Sequence, residues 1–262
     1  PHEAIQHHTA SFDFSAETRH SMKKNYYLVS YIAKERIKDE ITKIFKKWNP
    51  FGYIALLQEL NLLKILFPAF AATYNVPQPV RYHAFDVYAH TLLTLHKLCL
   101  INTDYLVRLA MLYHDVGKTD QYYYFSQHIT KEEKKLPITH QMYHAQALWP
   151  ELAQKDFRAL WFSNNEIETI CRYIKYHHRP GELLDATPEI RTKKLRQLLS
   201  EVGPDMLYNL MDIAIADRHG QYNPLQPAAV AQLEHMKQQV QTMYAEEWRF
   251  ILKDLAVNGD TL

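Results

Sequence analysis

Apolar residues recur along this chain at helical spacing, and almost nowhere do they alternate as a strand would. In SYIAKERIKDEITKIFKKW, residues 30–48, Ile37, Ile41, Ile44, Phe45 and Trp48 fall on one stripe, with lysines and acids on the other side. That is the pattern of an amphipathic helix. Asn49-Pro50 closes it, because the residue before a proline is steered away from helical backbone. YIALLQELNLLKILFPAF, residues 53–70, continues as apolar helix closed by Pro68. YNVPQPVRYH at 74–83 carries two prolines and reads as a linker, so the main boundary is placed there. Further helices are predicted at 85–100, 104–116, 140–160, 164–178, 189–202 and 205–217. Ser163-Asn164-Asn165-Glu166 has the form of a capping box, and Thr187-Pro188 puts proline at a first helical position. Gly117, Gly181, Gly203 and Gly220 are expected to punctuate helix ends. Residues 121–139, aromatic and charged without a period, read as a mobile excursion. The predicted class is all-α, and six glycines in 262 residues agree with it, since turn-rich β folds use more.

Composition narrows the partners more than the fold. Net charge is +1 with the histidines neutral, so any nucleic-acid surface has to be local. Cys99 and Cys171 sit among apolar neighbours, as buried thiols of a reducing compartment do. No segment approaches the roughly 18 apolar residues of a membrane span, and PHEAIQHHTASF is not a signal peptide. The expected location is cytoplasmic. The chain opens on Pro1, which suggests that it was cut from something longer or processed.

Candidate chemistry lies where apolar stripes stop. Leu106 and Ala110 lead to His114 and then Asp115, with Gly117 after them. Leu207, Leu210, Met211 and Ala214 lead to Asp217, and Ile167, Ile170 and Ile174 lead to His177. Burying an unpaired carboxylate costs several kcal/mol, roughly, unless a cation compensates. A metal ion would account for all three, and mixed imidazole and carboxylate donors suit a first-row transition metal better than calcium. The residues alone leave a second explanation open: hydrogen-bonded caps and a solvated aspartate.

FDVYAHTLLTLHKL, LAMLYHDVGK, IKYHHRPGELL and AIADRHG, in that order, resemble the successive motifs of HD-domain phosphohydrolases. The resemblance implies metal ligands at His90, His114, Asp115 and Asp217. It also implies a phosphate-facing cation at Lys118, and extra histidines at His144 and His177 for a second metal, phosphate contact or proton transfer. His178 could replace His177, because the repeated histidine shifts the match by one. The cofactor implied is a divalent transition metal (Mn, Ni, Fe, Co or Zn) or Mg, as one or two ions.

FSAETRHSMKKNYYLVSYIAKERIKDEITKIF, LQELNLLKILFPAF, NVPQPVRYHAFDVYAHTL and RFILKDLAVNGDTL resemble the helical body, HD and closing segments of the tRNA nucleotidyltransferase/poly(A) polymerase family. The domains implied are a helical body at 1–76, an HD domain at 77–225 and a C-terminal helical segment at 226–262. That family's catalytic head carries a Gly-Ser pair and an Asp-x-Asp; this sequence contains neither. Ala147-Leu148 stands where the family has Gly-Ala, and Pro150 is expected to kink the helix that presents His144. The implied function is metal-dependent hydrolysis of phosphomonoesters, 2′,3′-cyclic phosphates or nucleotides, an RNA 3′ end such as that of tRNA among the implied substrates. The alternative is a non-catalytic RNA-binding module whose HD fold is architectural. A third reading is an HD enzyme acting on free nucleotides, with the N-terminal helices serving as packing or as a homodimer surface. Lys23, Lys24, Arg36, Lys43, Lys46, Lys47, Arg191, Lys193, Lys194 and Arg196 are candidates to follow an RNA backbone. The run Tyr122–Phe125 could stack bases and the pair His140/His144 could hold zinc, while His2, His7, His8 and His20 are assigned nothing.

Overall fold

The computed structural model describes residues 14–47, 49–78, 83–120, 122, 149–222 and 226–254. Among them every regular element is helical. The body comprises α1 (Ala16–Lys24), a 3₁₀ turn at Tyr26–Tyr31, α2 (Lys34–Lys47), α3 (Phe51–Glu59), α4 (Leu63–Leu66) and α5 (Pro68–Ala71). After the proline-flanked segment come α6 (Val87–Cys99), α7 (Tyr105–Tyr113), α8 (Trp149–Ala159) and α9 (Asn164–Tyr176). A 3₁₀ turn at Gly181–Leu183 leads to α10 (Pro188–Val202), α11 (Pro204–Gln221) and α12 (Gln226–Asp254).

One hydrophobic core runs from Ile37 of α2 to Met243 of α12. Helix α7 lies at its centre, packed against α6, α9, α2, α5 and α11. Every residue from Val107 to Tyr113 is buried. The apolar stripe read from the sequence is therefore one side of a helix enclosed on all sides, and what matters is where its axis points. Ile37, Ile41 and Phe45 of α2 are buried as its stripe requires, and Trp48 lies outside the described residues. Body and remainder are also joined by polar contacts. Arg108 of α7 donates to Phe45 O at 2.8 Å, Lys38 of α2 meets Glu166 of α9 at 2.8 Å, and Ala69 N–H donates to Asp156 at 2.9 Å.

Several local expectations are corrected. The apolar stretch after residue 50 is three short helices. Asn61 adopts positive φ (61°) between α3 and α4, and Pro68 opens α5 at its first turn, where its missing N–H costs nothing. Gly220 does not end a helix. It lies within α11, and a Cβ there would stand 2.2 Å from Thr94 Cγ2 of α6. That glycine lets the two helices approach. Pro150 sits at the beginning of the described part of α8, and the stretch before it that would present His144 lies outside the described residues. The Ser163/Glu166 capping box forms in both directions, worth about 1 kcal/mol.

Candidate metal centre

Three helices converge on one buried point. Asp86 caps α6 by accepting from Ala89 N–H at 2.8 Å, which fixes the first turn and carries His90 inward. His114 occupies the C-cap of α7, and Asp115 follows in the turn before Gly117. Asp217 stands in the last turn of α11, held close to α6 by the contact at Gly220. His90, His114 and Asp115 are fully buried, whereas the Asp217 side chain keeps 22% of its exposure. That difference leaves an approach along one side.

The donor atoms face one another. His90 Nε2 lies 2.9 Å from Asp217 Oδ1 and 3.5 Å from Asp115 Oδ2. His114 Nε2 lies 3.3 Å from Asp115 Oδ2 and 3.5 Å from Asp217 Oδ1. Yet neither Nε2 makes a hydrogen bond of acceptable geometry, nor does Asp115 Oδ1. His114 Nδ1–H donates to Met111 O at 2.8 Å, since a carbonyl can only accept, so in the neutral ring Nε2 carries the lone pair. Buried polar atoms are normally paired. Here they are close and misaligned with each other, which is how ligands around a cation stand. Single ligand atoms of His90, His114 and Asp115 all lie within 4.8 Å of one another.

The charges agree. Burial resists ionisation of Asp115, but Lys118 and His114 override it and hold the carboxyl well below the usual range. Asp217 is likewise held well below by His114 and His90 against its burial. Burial works to lower His114, and the two carboxylates raise it to about 10. Two carboxylates, one buried and one partly exposed, face this point, and Lys118 is paired with Asp115, an arrangement that favours a further positive charge. Lys118 Nζ is taken up by Asp115 Oδ2 at 2.7 Å and Gln78 Oε1 at 2.8 Å.

His177, the C-cap of α9, is buried 5.4 Å from the His114 ring. Its Nδ1–H donates to Ile174 O at 2.6 Å, leaving Nε2 without a partner. His178 lies against it, tilted by 41° with 3.6 Å between centroids, and also faces Trp149. So both members of the repeated pair belong to this wall, with His177 nearer the convergent atoms. Burial lowers His178 to about 4 and holds His177 well below the imidazole range. Three residues escaped the sequence reading. Trp149 stacks on His177 at 5.5 Å and covers Gly117, where a Cβ would collide with its ring. His83 packs edge-on against His90 at 4.7 Å, with Nδ1 unpaired. Gln78 holds Lys118. Two of the three come from the supposed linker, which has no period to read.

His144, His140, Tyr123, Tyr124, Phe125, His2, His7 and His8 lie outside the described residues. Of the basic candidates, Lys23, Lys24, Arg36, Lys43, Lys46, Lys47, Lys193, Lys194 and Arg196 are exposed. Arg191 is half-buried. It is committed to the carbonyls of Leu183, Leu184 and Ala186.

The fold and site are matched by known families. The HD domain matches residues 87–219, and the chain belongs to the HD-domain family. The family described as the probable RNA and SrmB-binding site of polymerase A matches residues 11–73. A multifunctional CCA protein of Mannheimia succiniciproducens is 28% identical over 228 residues, covering 84% of this chain and 51% of that protein. One of Pasteurella multocida is 29% identical over 232 residues, covering 83% and 50%. One of Shewanella denitrificans is 30% identical over 118 residues, covering 44% and 29%. The chain thus spans about half the length of the first two. These matches agree with the body-plus-HD part of a tRNA nucleotidyltransferase. Among the described residues no helix is long and apolar enough to cross a membrane.

Proposed function

We propose that the chain is a metal-dependent phosphohydrolase, the HD portion of a tRNA nucleotidyltransferase-like protein. The observation that carries this is the convergence of buried His90, His114 and Asp115 with partly exposed Asp217, close yet poorly hydrogen-bonded to each other. Those four would hold a divalent ion. When bound, it supplies a Lewis acid for a phosphoryl oxygen and an acidified water. Lys118 keeps Asp115 ionised and oriented, and adds positive charge beside the phosphoryl oxygens. His177 is fixed by Ile174 with Nε2 as its free nitrogen, the atom at which it would accept a proton or a substrate hydroxyl. The substrates that suit this site are phosphomonoesters, 2′,3′-cyclic phosphates and nucleotides. RNA, tRNA first, is the natural partner of the matched body.

Elemental analysis of the purified protein, with hydrolysis assays on these esters in Mn²⁺, Ni²⁺ and Mg²⁺, tests the reading. Wild type should carry near-stoichiometric metal and hydrolyse at least one class. The double variant His114→Ala/Asp115→Ala should lose both while keeping its far-ultraviolet circular dichroism. Unchanged hydrolysis in the double variant would remove the proposed site. Absence of metal together with tight tRNA binding would favour the architectural alternative.

A further inference from the structure

The connecting segment 74–86 falls between the two family matches, and its described residues, 74–78 and 83–86, touch each ligand-bearing element. Asp86 caps α6 and also accepts from Asn75 N–H at 2.9 Å. Ala84 N–H donates to Gln221 O at the end of α11, and Phe85 packs edge-on against Tyr222. His83 lies against His90. Gln78 reaches furthest: it is buried, its Nε2–H donates to Phe85 O at 3.3 Å, and its Oε1 accepts from Lys118 Nζ.

We infer that Gln78 is a positioning residue for the metal centre, acting through Lys118 on Asp115, and that Gln78, His83 and Phe85 form a wall of the site. The inference rests on the metal reading above. Its geometry turns on one atom. Asp115 Oδ2 faces both imidazole nitrogens and also accepts from Lys118, so the ammonium and a metal ion compete for the same oxygen. A buried ammonium has three N–H groups to satisfy. The Gln78 amide draws one of them away from the carboxylate, and Phe85 fixes that amide in turn. Without Gln78 the ammonium closes further onto Asp115 and the metal loses.

The test is Mn²⁺ titration by calorimetry of the full chain, wild type, Gln78→Leu and Gln78→Glu, with Lys118→Met and Gln78→Leu/Lys118→Met completing a cycle. Gln78→Leu should weaken Mn²⁺ binding by about tenfold or more, the usual effect of removing an outer partner of a ligand. In the Lys118→Met background the same change should alter it by less than about twofold, because Gln78 acts through that lysine. A Gln78→Leu protein that binds Mn²⁺ like wild type, or an equal loss in both backgrounds, overturns the inference while leaving the metal reading intact. If leucine unfolds the chain, Gln78→Glu decides. It keeps the acceptor, so it must bind within about threefold of wild type or tighter, and weaker binding refutes the role. Wild type that binds no Mn²⁺ refutes both.

Discussion

Helix α7 carries two buried charged centres within two turns, and they are solved in opposite ways. Arg108 near its start donates to Asn102 O at 2.9 Å, Phe45 O at 2.8 Å and Cys99 O at 3.3 Å. Cys99 ends α6 and Phe45 lies in the last turn of α2, so one guanidinium satisfies carbonyls that two helix ends would otherwise leave bare. His114 and Asp115 at the other end meet groups equally close, but with ring nitrogens and a carboxylate oxygen left unpaired. Burial alone does not distinguish structure from site, for Arg108 is 4% exposed and Asp115 2%. Completion of the hydrogen bonds does. A polar centre finished by backbone is scaffold, and one whose ring nitrogens and carboxylate oxygen lack partners among the described residues is the candidate site.

The contrast breaks most sharply under substitution with and without metal. Arg108→Met should cost about 3 kcal/mol, since several buried carbonyls lose a charged donor. Its melting temperature falls, but the rise produced by saturating Mn²⁺ should remain that of wild type, because the site is untouched. Asp115→Asn should do the reverse. It loses the Mn²⁺-induced rise, which amounts to about 2.7 kcal/mol for wild type at a hundred times Kd. Thermal melts of both variants across a metal series decide it. An Arg108→Met protein that no longer responds to metal would mean that the two centres are one.

Gly220→Ala is the next largest. The added methyl falls 2.2 Å from Thr94 Cγ2 and 3.3 Å from His90 Nδ1, so α11 has to move outward from α6. Overpacking of this kind costs about 1–3 kcal/mol, and the shift also separates Asp217 from His90. Mn²⁺ affinity should fall together with stability. Restored affinity in Gly220→Ala/Thr94→Ser, which gives the space back, would confirm a steric cause. A loss that persists would put it elsewhere.

How much of this was legible in the sequence depends on whether a contact is local. The all-α class, the α2 stripe and the Ser163/Glu166 box were legible because each is written within a few turns. His114-Asp115 and Asp217 stood out as polar residues at the ends of apolar stripes, and His90 followed from the order of the motifs. Gly220 was misread. A glycine near a predicted helix end looks like a stop signal, and only the neighbouring helix reveals that it is a close approach. Pro68 was misread for a related reason, since proline both ends and begins helices. Gln78, His83 and Trp149 act across the fold, and nothing adjacent in sequence marks them.

Glu166 shows the same limit and offers the smallest effect. The sequence gives its capping role, but Lys38, 128 residues away, and Tyr105, 61 residues away, complete it at 2.8 and 2.9 Å. Burial pushes this carboxyl up, yet Lys38, Ser163 and Tyr105 together bring it down to about 2. A carboxyl lowered on folding stabilises the chain fully above its ordinary range near 4.5, and that stability is lost as pH falls toward 2. Because the pair is partly solvated, roughly 1–2 kcal/mol is at stake. Denaturant midpoints measured between pH 6 and pH 3 should therefore fall for wild type and fall less for Glu166→Gln, whose curve starts lower and is flatter. The Lys38→Met protein should lie between them, because Glu166 keeps its partners at Ser163 and Tyr105. Parallel curves for wild type and Glu166→Gln would mean that the junction between α2 and α9 is held by its apolar contacts alone. Glu166 would then be an ordinary helix cap, and Arg108 rather than Glu166 would be the completed centre to set against His114 and Asp115.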